Sequence, residues 1–276
     1  MVDVINSDEE YFAKEALSAS QIKAFDKGAY WFWKASPFNK EREEEQETDA
    51  LVFGKLCHCM LLEPDAVKDR FEVGDFGISR KNKKYAELKS TTKKTLVSQA
   101  EMDRAQKMID AIHQHKLASK ILEGATTEKP FVWFDDAHGI LFKAKLDAVK
   151  RTKQGIVVID YKTSSDIDGV LNWAQKLQYP LQAEVYCRAV KAKYGEEPVE
   201  FVFIIQSNKE GEEDVIAVAN VEYDTQMVAK DIVDARTAEI VEKLNEFQKT
   251  GDKSIWCAYP NRVEIRYSNW FMERGE

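Results

Sequence analysis

Apolar positions in the first half of the chain recur at helical spacing. Ile22, Phe25, Tyr30 and Trp33 follow Ser18 and Ser20, either of which can cap a helix, so a short helix is predicted in LSASQIKAFDKGAYWFWKASPF, made imperfect by Gly28. Residues 50 to 62, ALVFGKLCHCMLL, are apolar and free of proline until Pro64; they read as a buried helix that carries His58 inward. Ser98 followed three residues later by Glu101 is a capping-box signature, and Ala105, Met108, Ile109 and Ile112 continue that helix to about His115. Then the period changes. Residues 131 to 134 lead to a turn at 135 to 139, then to ILFKAKLDAV and, after KRTKQG, to IVVIDYKT, which predicts three strands. The third is an unbroken β-branched run at 156 to 159, as expected of a strand covered on both faces. Pro180 opens a helix to about Val190, and strand signals return at 199 to 205 and 215 to 221. Asp224 is placed to cap a long amphipathic helix using Val228, Ile232, Ile240, Leu244 and Phe247. No internal repeat is present. The economical reading is one α/β domain over residues 1–276, with a mainly helical portion at 1–125, a sheet core at 126–222 and a C-terminal helix and tail at 223–276.

The chain has 276 residues, 44% hydrophobic and 32% charged, enough to bury a sizeable core without staples. Its 48 Asp and Glu against 40 Lys and Arg give a formal charge of −8, which excludes a histone-like or ribosomal-tail role and requires any polyanion to meet a local basic surface. The candidate surface is SRKNKKYAELKSTTKK, residues 79 to 94, with seven basic side chains and one acidic; a solvated helix face is the competing reading. The acidic run at 40 to 49 reads as a solvated loop. No stretch reaches the roughly 20 apolar residues of a membrane helix, and MVDVINSDEEYF lacks the order of a signal peptide, so a cytoplasmic protein with no membrane partner is expected. Cys57, Cys59, Cys187 and Cys257 are too few and scattered for a disulfide framework and read as reduced thiols.

The chemistry-bearing residues are Asp147 near the end of one predicted strand, and Asp160 and Lys162 at the end of the next. Side chains alternate along a strand, so Asp160 and Lys162 share a face and Tyr161 opposes them. The short linker implies a hairpin that brings Asp147 and Asp160 together, and two carboxylates there repel unless a cation lies between them. Hard oxygen ligands select Mg²⁺ or Mn²⁺. A neighbouring ammonium orients a water or stabilises charge developing on phosphorus, so a hydrolytic phosphodiester site makes chemical sense. A bare D-x-K also occurs as an ordinary strand-end salt bridge. Further features stand in a fixed order around this one: His58 in GKLCHCMLLEP, Thr163 and Ser164 in IDYKTSSD, and Tyr179, Gln182 and Tyr186 in YPLQAEVY.

With these motifs the sequence resembles the PD-(D/E)xK nucleases of the RecB and RecE type, in particular the phage-type RecE exonuclease (exodeoxyribonuclease VIII) catalytic domain, from LSASQIKAF to at least Tyr186. The resemblance implies a restriction-endonuclease-like α/β core, a central mixed sheet flanked by helices. It implies metal ligation by Asp147, Asp160, the Tyr161 carbonyl and His58 of the G-x-x-x-H pattern. It further implies that Lys162 is the catalytic lysine and that Gln182 and Tyr186, a Q-x-x-x-Y pair on one helix face, complete the catalytic set. Ser18 and Ser20 of the L-S-x-S opening, Arg80, Lys81, Lys83 and Lys84 of the basic run, and Thr163 and Ser164 are the candidate DNA contacts. Relatives with an iron–sulfur cluster carry one cysteine ahead of these motifs and three behind; that pattern is absent here, so no cluster is expected. A zinc site at Cys57, His58 and Cys59 is disfavoured, since consecutive helical residues point apart.

The activity implied is a Mg²⁺-dependent exonuclease, Mn²⁺ substituting, that acts processively 5′ to 3′ on double-stranded DNA ends. It would leave 3′ single-stranded tails for a RecT-like single-strand annealing protein in homologous recombination, from a ring-shaped homo-oligomer. Two other readings stay open: a structure-specific or CRISPR-adaptation-like endonuclease on the same fold, and a DNA-binding protein without catalysis. Trp256, Arg266 and Trp270 of the tail have no assigned role; for the tryptophans, packing or a subunit interface is favoured over base stacking.

Overall fold

The computed structural model describes every residue except 1, 4, 6–7, 44–46, 78–79, 172–177 and 258–276, with backbone alone at 2, 3 and 8. A six-stranded sheet runs in the order β1-β4-β5-β6-β7-β8, formed by Val2–Asp3, Thr126–Asp135, Ile140–Arg151, Ile156–Ser164, Glu200–Ser207 and Ile216–Asn220. Among the described residues two further strands, β2 (Phe71–Val73) and β3 (Thr95–Val97), form a small parallel pair. All pairings in the large sheet are antiparallel except β6 with β7. A parallel pair needs a crossover, and here it contains helix α9 (Tyr179–Tyr194). Further helices include α1 (Asp8–Ala13), α2 (Ala19–Asp26), α3 (Ala29–Ala35), α4 (Asp49–Leu62), α5 (Val67–Arg70), α6 (Lys83–Thr91), α7 (Gln99–Gln114), α8 (Lys116–Leu122) and α10 (Tyr223–Thr250).

Two cores cover the two faces of the sheet, and β6 explains why its sequence is apolar throughout. Ile156 and Val158 pack with Leu17, Ile22, Phe25, Phe32 and residues of α9 and α10; Val157, Ile159 and Tyr161 pack on the other face with Val52, Phe53 and Leu56 of α4 and Met108 of α7. Each such side chain contributes about 1.5–3 kcal/mol on leaving water. The tail begins in the first core: Trp256 stacks on Trp33, ring centroids 4.6 Å apart, in line with the packing reading, whereas Arg266 and Trp270 lie outside the described residues.

The structure amends several sequence expectations. The single helix behind Ser18 is two helices, because Gly28 at φ 128° ends one and caps the next. Asp224 lies in the first turn of α10 with Glu222 at the cap position, and Val228 faces solvent while Ala229 and Val233 are buried. Asp147 is interior to β5, four residues before its end. β1, β2, β3, α1, α5 and α8 carry too few periodic residues to be seen in the pattern.

The hairpin that joins β5 to β6 depends on Gly155, whose φ is 141° and where a Cβ would come within 2.5 Å of Val199 Cγ1. Both the amide and the hydroxyl of Thr152 donate to its carbonyl. Gly155→Ala is expected to lower stability by about 2 kcal/mol, through backbone strain and overpacking together. A urea midpoint that does not move would contradict this.

Candidate active site

The site forms where β5 and β6 part. Their ladder runs from Arg151↔Ile156 to Ala148↔Ile159 and stops one rung before Asp147 and Asp160. In place of a ladder bond, the Tyr161 amide donates to Asp147 Oδ2 at 2.9 Å. That bond fixes the Asp147 carboxylate between the strands. Alternation holds on β6 as expected: the Tyr161 side chain lies on the α4 face, where its hydroxyl donates to Gln206 Oε1 at 2.6 Å. Asp160 and Lys162 lie on the α9 face.

Asp160 is fully buried, yet both its oxygens are engaged. Gln182 Nε2 donates to Oδ1 at 2.7 Å, and the Lys162 ammonium is ion-paired with Oδ2. Burial lifts the Asp160 pKa to about 6 against the pull of Lys162, and burial also raises that of Asp147. For Lys162, burial opposes the charge, but Asp160 and Asp147 outweigh it and hold the ammonium above its ordinary value. Gln182 and Tyr186 share a face of α9, one turn apart, and the Tyr186 hydroxyl, its pKa raised chiefly by burial, meets Gln182.

His58 comes from the opposite face. The Thr48 hydroxyl caps α4 by accepting from the Leu51 amide, and the buried Val52, Phe53, Leu56 and Cys57 seat the helix. His58 Nδ1 is then 3.5 Å from Asp147 Oδ2. Burial, with help from Lys162, depresses the imidazole pKa to about 4, so the ring is neutral at physiological pH and able to ligate a metal. Its neighbours turn elsewhere: the Cys57 thiol is directed to Met108 and that of Cys59 to the Glu63 carbonyl.

Two residues that the sequence reading passed over belong here. Lys23 of α2 donates to Gln182 Oε1 at 2.9 Å, which leaves the amide nitrogen of Gln182 free to face Asp160. The Tyr179 ring lies beside both Lys23 and Lys162, 5.4 and 5.7 Å from its centroid. Burial, then the Lys162 charge, lowers the Lys23 pKa to about 8. Glu128 of β4 has a ligand atom that lies, with those of His58 and Asp147, in a group spanning no more than 4.8 Å. Two carboxylates, a neutral imidazole and an adjacent buried Asp160 fit a divalent cation, since the donors are hard oxygens with one nitrogen.

The site opens into a cleft of about 980 Å³ lined by Gly54, His58, Glu128, Asp147, Lys162 and Thr163, with Lys55, Arg70, Lys93, Lys94 and Lys145 along it. The basic run therefore reaches the site by its C-terminal end, Lys93 and Lys94. The four residues singled out from sequence do not line the cleft: Arg80 is ion-paired with Glu101 and Asp49, Lys84 with Asp75 and Lys83 with Glu87, and Lys81 is exposed just ahead of α6. Thr163 lines the cleft, whereas the Ser164 hydroxyl is used in a turn with Asp166. Ser18 caps α2, its amide and hydroxyl both donating to Gln21 Oε1, and Ser20 is exposed in the first turn. Neither serine lines the cleft.

Comparison with known proteins places the chain in a family and bears on its fold. Residues 18–265 match the family described as a PDDEXK-like domain of unknown function, DUF3799. The chain belongs to this family. It is accordingly a nuclease of the PD-(D/E)xK superfamily, with a divalent metal the usual requirement. Among solved structures, an inferred exonuclease of Eubacterium rectale matches with a TM-score of 0.61 at 18% identity, covering 98% of each chain, which bears out the fold. SSO0001 matches more loosely, with a TM-score of 0.31 at 18% identity over 69% of this chain and 85% of that one. No curated protein matches the chain. Among the described residues no helix is long and apolar enough to cross a membrane.

Proposed function

We propose that the chain is a Mg²⁺-dependent deoxyribonuclease that degrades linear duplex DNA from its ends. The observation that carries this reading is the junction of Asp147, Asp160 and Lys162 at the parting of β5 and β6, open to a lysine-lined cleft. Asp147, Asp160 and the Tyr161 carbonyl, with His58, would hold the cation. When bound, it polarises a phosphoryl oxygen and makes water a better nucleophile near neutral pH. Lys162 positions that water for in-line attack and offsets charge that grows on the phosphate. Gln182 fixes the Asp160 carboxylate, and Lys23 fixes Gln182. Lys93 and Lys94 meet the DNA backbone, which lets an acidic chain bind a polyanion through one local surface.

The exonuclease reading draws on the resemblance of the motifs to RecE-type enzymes and agrees with the description of the Eubacterium rectale neighbour. The same resemblance supports 5′ to 3′ polarity, a ring-shaped homo-oligomer and hand-over of 3′ tails to a RecT-like annealing protein in the cytoplasm. The test is digestion of one plasmid, linear or covalently closed, with Mg²⁺ or EDTA. Loss of the linear form alone, dependent on Mg²⁺, is expected. Loss of both forms would establish an endonuclease, and loss of neither by folded protein would leave a DNA-binding role.

Lys23→Met is expected to lower kcat about tenfold through misorientation of Gln182, as loss of an outer hydrogen-bond partner does at metal sites. Lys23→Arg should restore part of it, since a cation again faces Gln182 Oε1. Equal kcat in the wild type and Lys23→Met would remove Lys23 from the set.

A further inference from the structure

We propose that Phe12 of α1 is a stacking platform for a nucleobase of the DNA in the cleft, a binding subsite set apart from the catalytic carboxylates. The inference rests on the nuclease reading above and names the part of the substrate that one stretch of the cleft wall takes. It begins with β5. Residues two apart on a strand share a face, so Leu141, Lys143, Lys145 and Asp147 form one row. Leu141 packs with Ile5, Tyr11 and Val132 in a small third core. The buried Lys143 ammonium donates to the carbonyls of Tyr11, Phe12 and Lys14 at 3.0, 3.3 and 2.9 Å, which closes the C-terminal end of α1. Lys145 and Asp147 line the cleft. α1 therefore lies on the face of β5 that leads to the catalytic aspartate, about 13 Å further along the strand.

The chain after α1 fixes this placement from the other side. The β5–β6 ladder ends at Ala148, and further along that edge of β5 the Leu17 amide donates to the Leu141 carbonyl at 2.8 Å while the Lys143 amide donates to the Leu17 carbonyl at 2.6 Å. Tyr11 is buried, but Phe12 beside it is 60% exposed and lines the cleft with Ala50 and Leu51 of α4, the latter 46% exposed. The lining thus divides by chemistry: Phe12, Ala50 and Leu51 are apolar, and Lys55, Lys93 and Lys94 are cationic. Nucleic acid has the same two parts, flat bases and an anionic backbone, and aromatic rings take the first where lysines take the second. A single exposed ring elsewhere on a surface needs no explanation. Here the helix that carries the ring is clamped at the wall of a phosphodiester-cleaving cleft, and the occupant of that cleft is DNA. The distance along β5 matches about four stacked nucleotides at about 3.4 Å each. A base inside a duplex has both faces covered, so the base that meets Phe12 is unpaired or terminal.

The experiment is DNA binding to the full chain in EDTA, read by fluorescence anisotropy, for wild type, Phe12→Ala and Phe12→Tyr, with circular dichroism to establish that each is folded. The DNA carries one abasic residue, moved through the terminal positions of a blunt duplex and of duplexes with 3′ or 5′ overhangs, which tests the same contact in unaltered protein. Wild type is expected to bind about tenfold more weakly when one particular position lacks its base. Phe12→Ala should bind intact DNA about as weakly and show no discrimination at that position, while Phe12→Tyr keeps it. Equal affinity of wild type and Phe12→Ala for intact DNA, or abasic discrimination that survives in Phe12→Ala, would overturn the proposal. So would a changed subunit number in Phe12→Ala with the discrimination kept, which would give the ring to a contact between copies of the chain. Each of these results leaves the nuclease reading intact if the wild type cuts DNA with Mg²⁺. A wild-type chain that neither binds DNA nor cuts it would overturn both.

Discussion

Asp160→Asn is expected to reduce cleavage of linear duplex by at least about 10³-fold while DNA binding, measured in EDTA, stays within a few-fold of wild type. The carboxylate is fully buried and bonded through one oxygen to Gln182 and through the other to Lys162, so it touches the cleft through what it holds there, not through contact with DNA along its length. An amide keeps the shape but brings no charge, and its nitrogen would oppose either the Gln182 amide or the Lys162 ammonium. The electrostatic stabilisation lost is of the kind that carries several kcal/mol of a hydrolytic barrier when water is excluded. Single-turnover digestion with saturating enzyme separates this from weakened binding. A variant that cuts at more than a tenth of the wild-type rate would remove Asp160 from the catalytic set.

Lys162→Met is the second change with a large expected effect, and it acts on stability as well as on cleavage. Without the ammonium, the buried carboxylates of Asp160 and Asp147 lose the cation that offsets both of them most, and removal of one partner from a buried pair costs about 3 kcal/mol or more. The pH dependence follows from the direction of the shifts. Burial already lifts folded Asp160 to about 6, and loss of Lys162 lifts it further, whereas an unfolded carboxylate titrates at about 3.9. The folded variant therefore binds the additional proton between these values, so its stability falls as pH rises through that window. The deficit against wild type should be largest at pH 7 and above and should shrink toward pH 5. Millimolar Mg²⁺ should restore part of the stability at pH 7 without restoring cleavage, because the cation offsets the carboxylates but does not position the water. A melting temperature equal to that of wild type at pH 7 would show that Lys162 does not balance the two carboxylates.

Much of this site was legible before folding because its parts lie on regular elements with known periods. The two-residue alternation of β6 places Asp160 and Lys162 on one face and Tyr161 on the other, and the structure has Asp160 meeting Gln182 and Lys162 while Tyr161 meets Gln206. The four-residue spacing of Gln182 and Tyr186 gives one face of α9. The apolar run around His58 predicts a buried helix, and burial is what keeps that imidazole neutral. Glu128 could also have been found: counting back from the turn at 135 to 139 sets it opposite Asp147. Lys23 left only a weak trace, as the sole basic residue of LSASQIKAF.

The basic run shows the limit of composition. Seven cations in sixteen residues name a segment, but which of them face a phosphate depends on where acids from other elements lie. Arg80 is claimed by Asp49 of α4 and Glu101 of α7, at distances in sequence of 31 and 21 residues, while Lys93 and Lys94 are delivered to the cleft beside β3. Charge counts along a chain do not contain these pairings, because an ion pair forms between whichever groups the packing of helices and strands brings within reach.

The order of hydrophobic and polar residues by itself determined the α/β class, the main helices and strands, and the identity of the acidic, basic and imidazole groups that carry chemistry, since these depend on local periodicity and on residue type. Only the tertiary structure decided that the β5–β6 ladder stops one rung before the two aspartates, that Lys23 reaches Gln182 across 159 residues, and that β4 bends at Glu128 to face Asp147 and His58. These are contacts between segments far apart in the chain. Their geometry is set by how two cores pack on the two faces of one sheet, and no window of sequence holds that information.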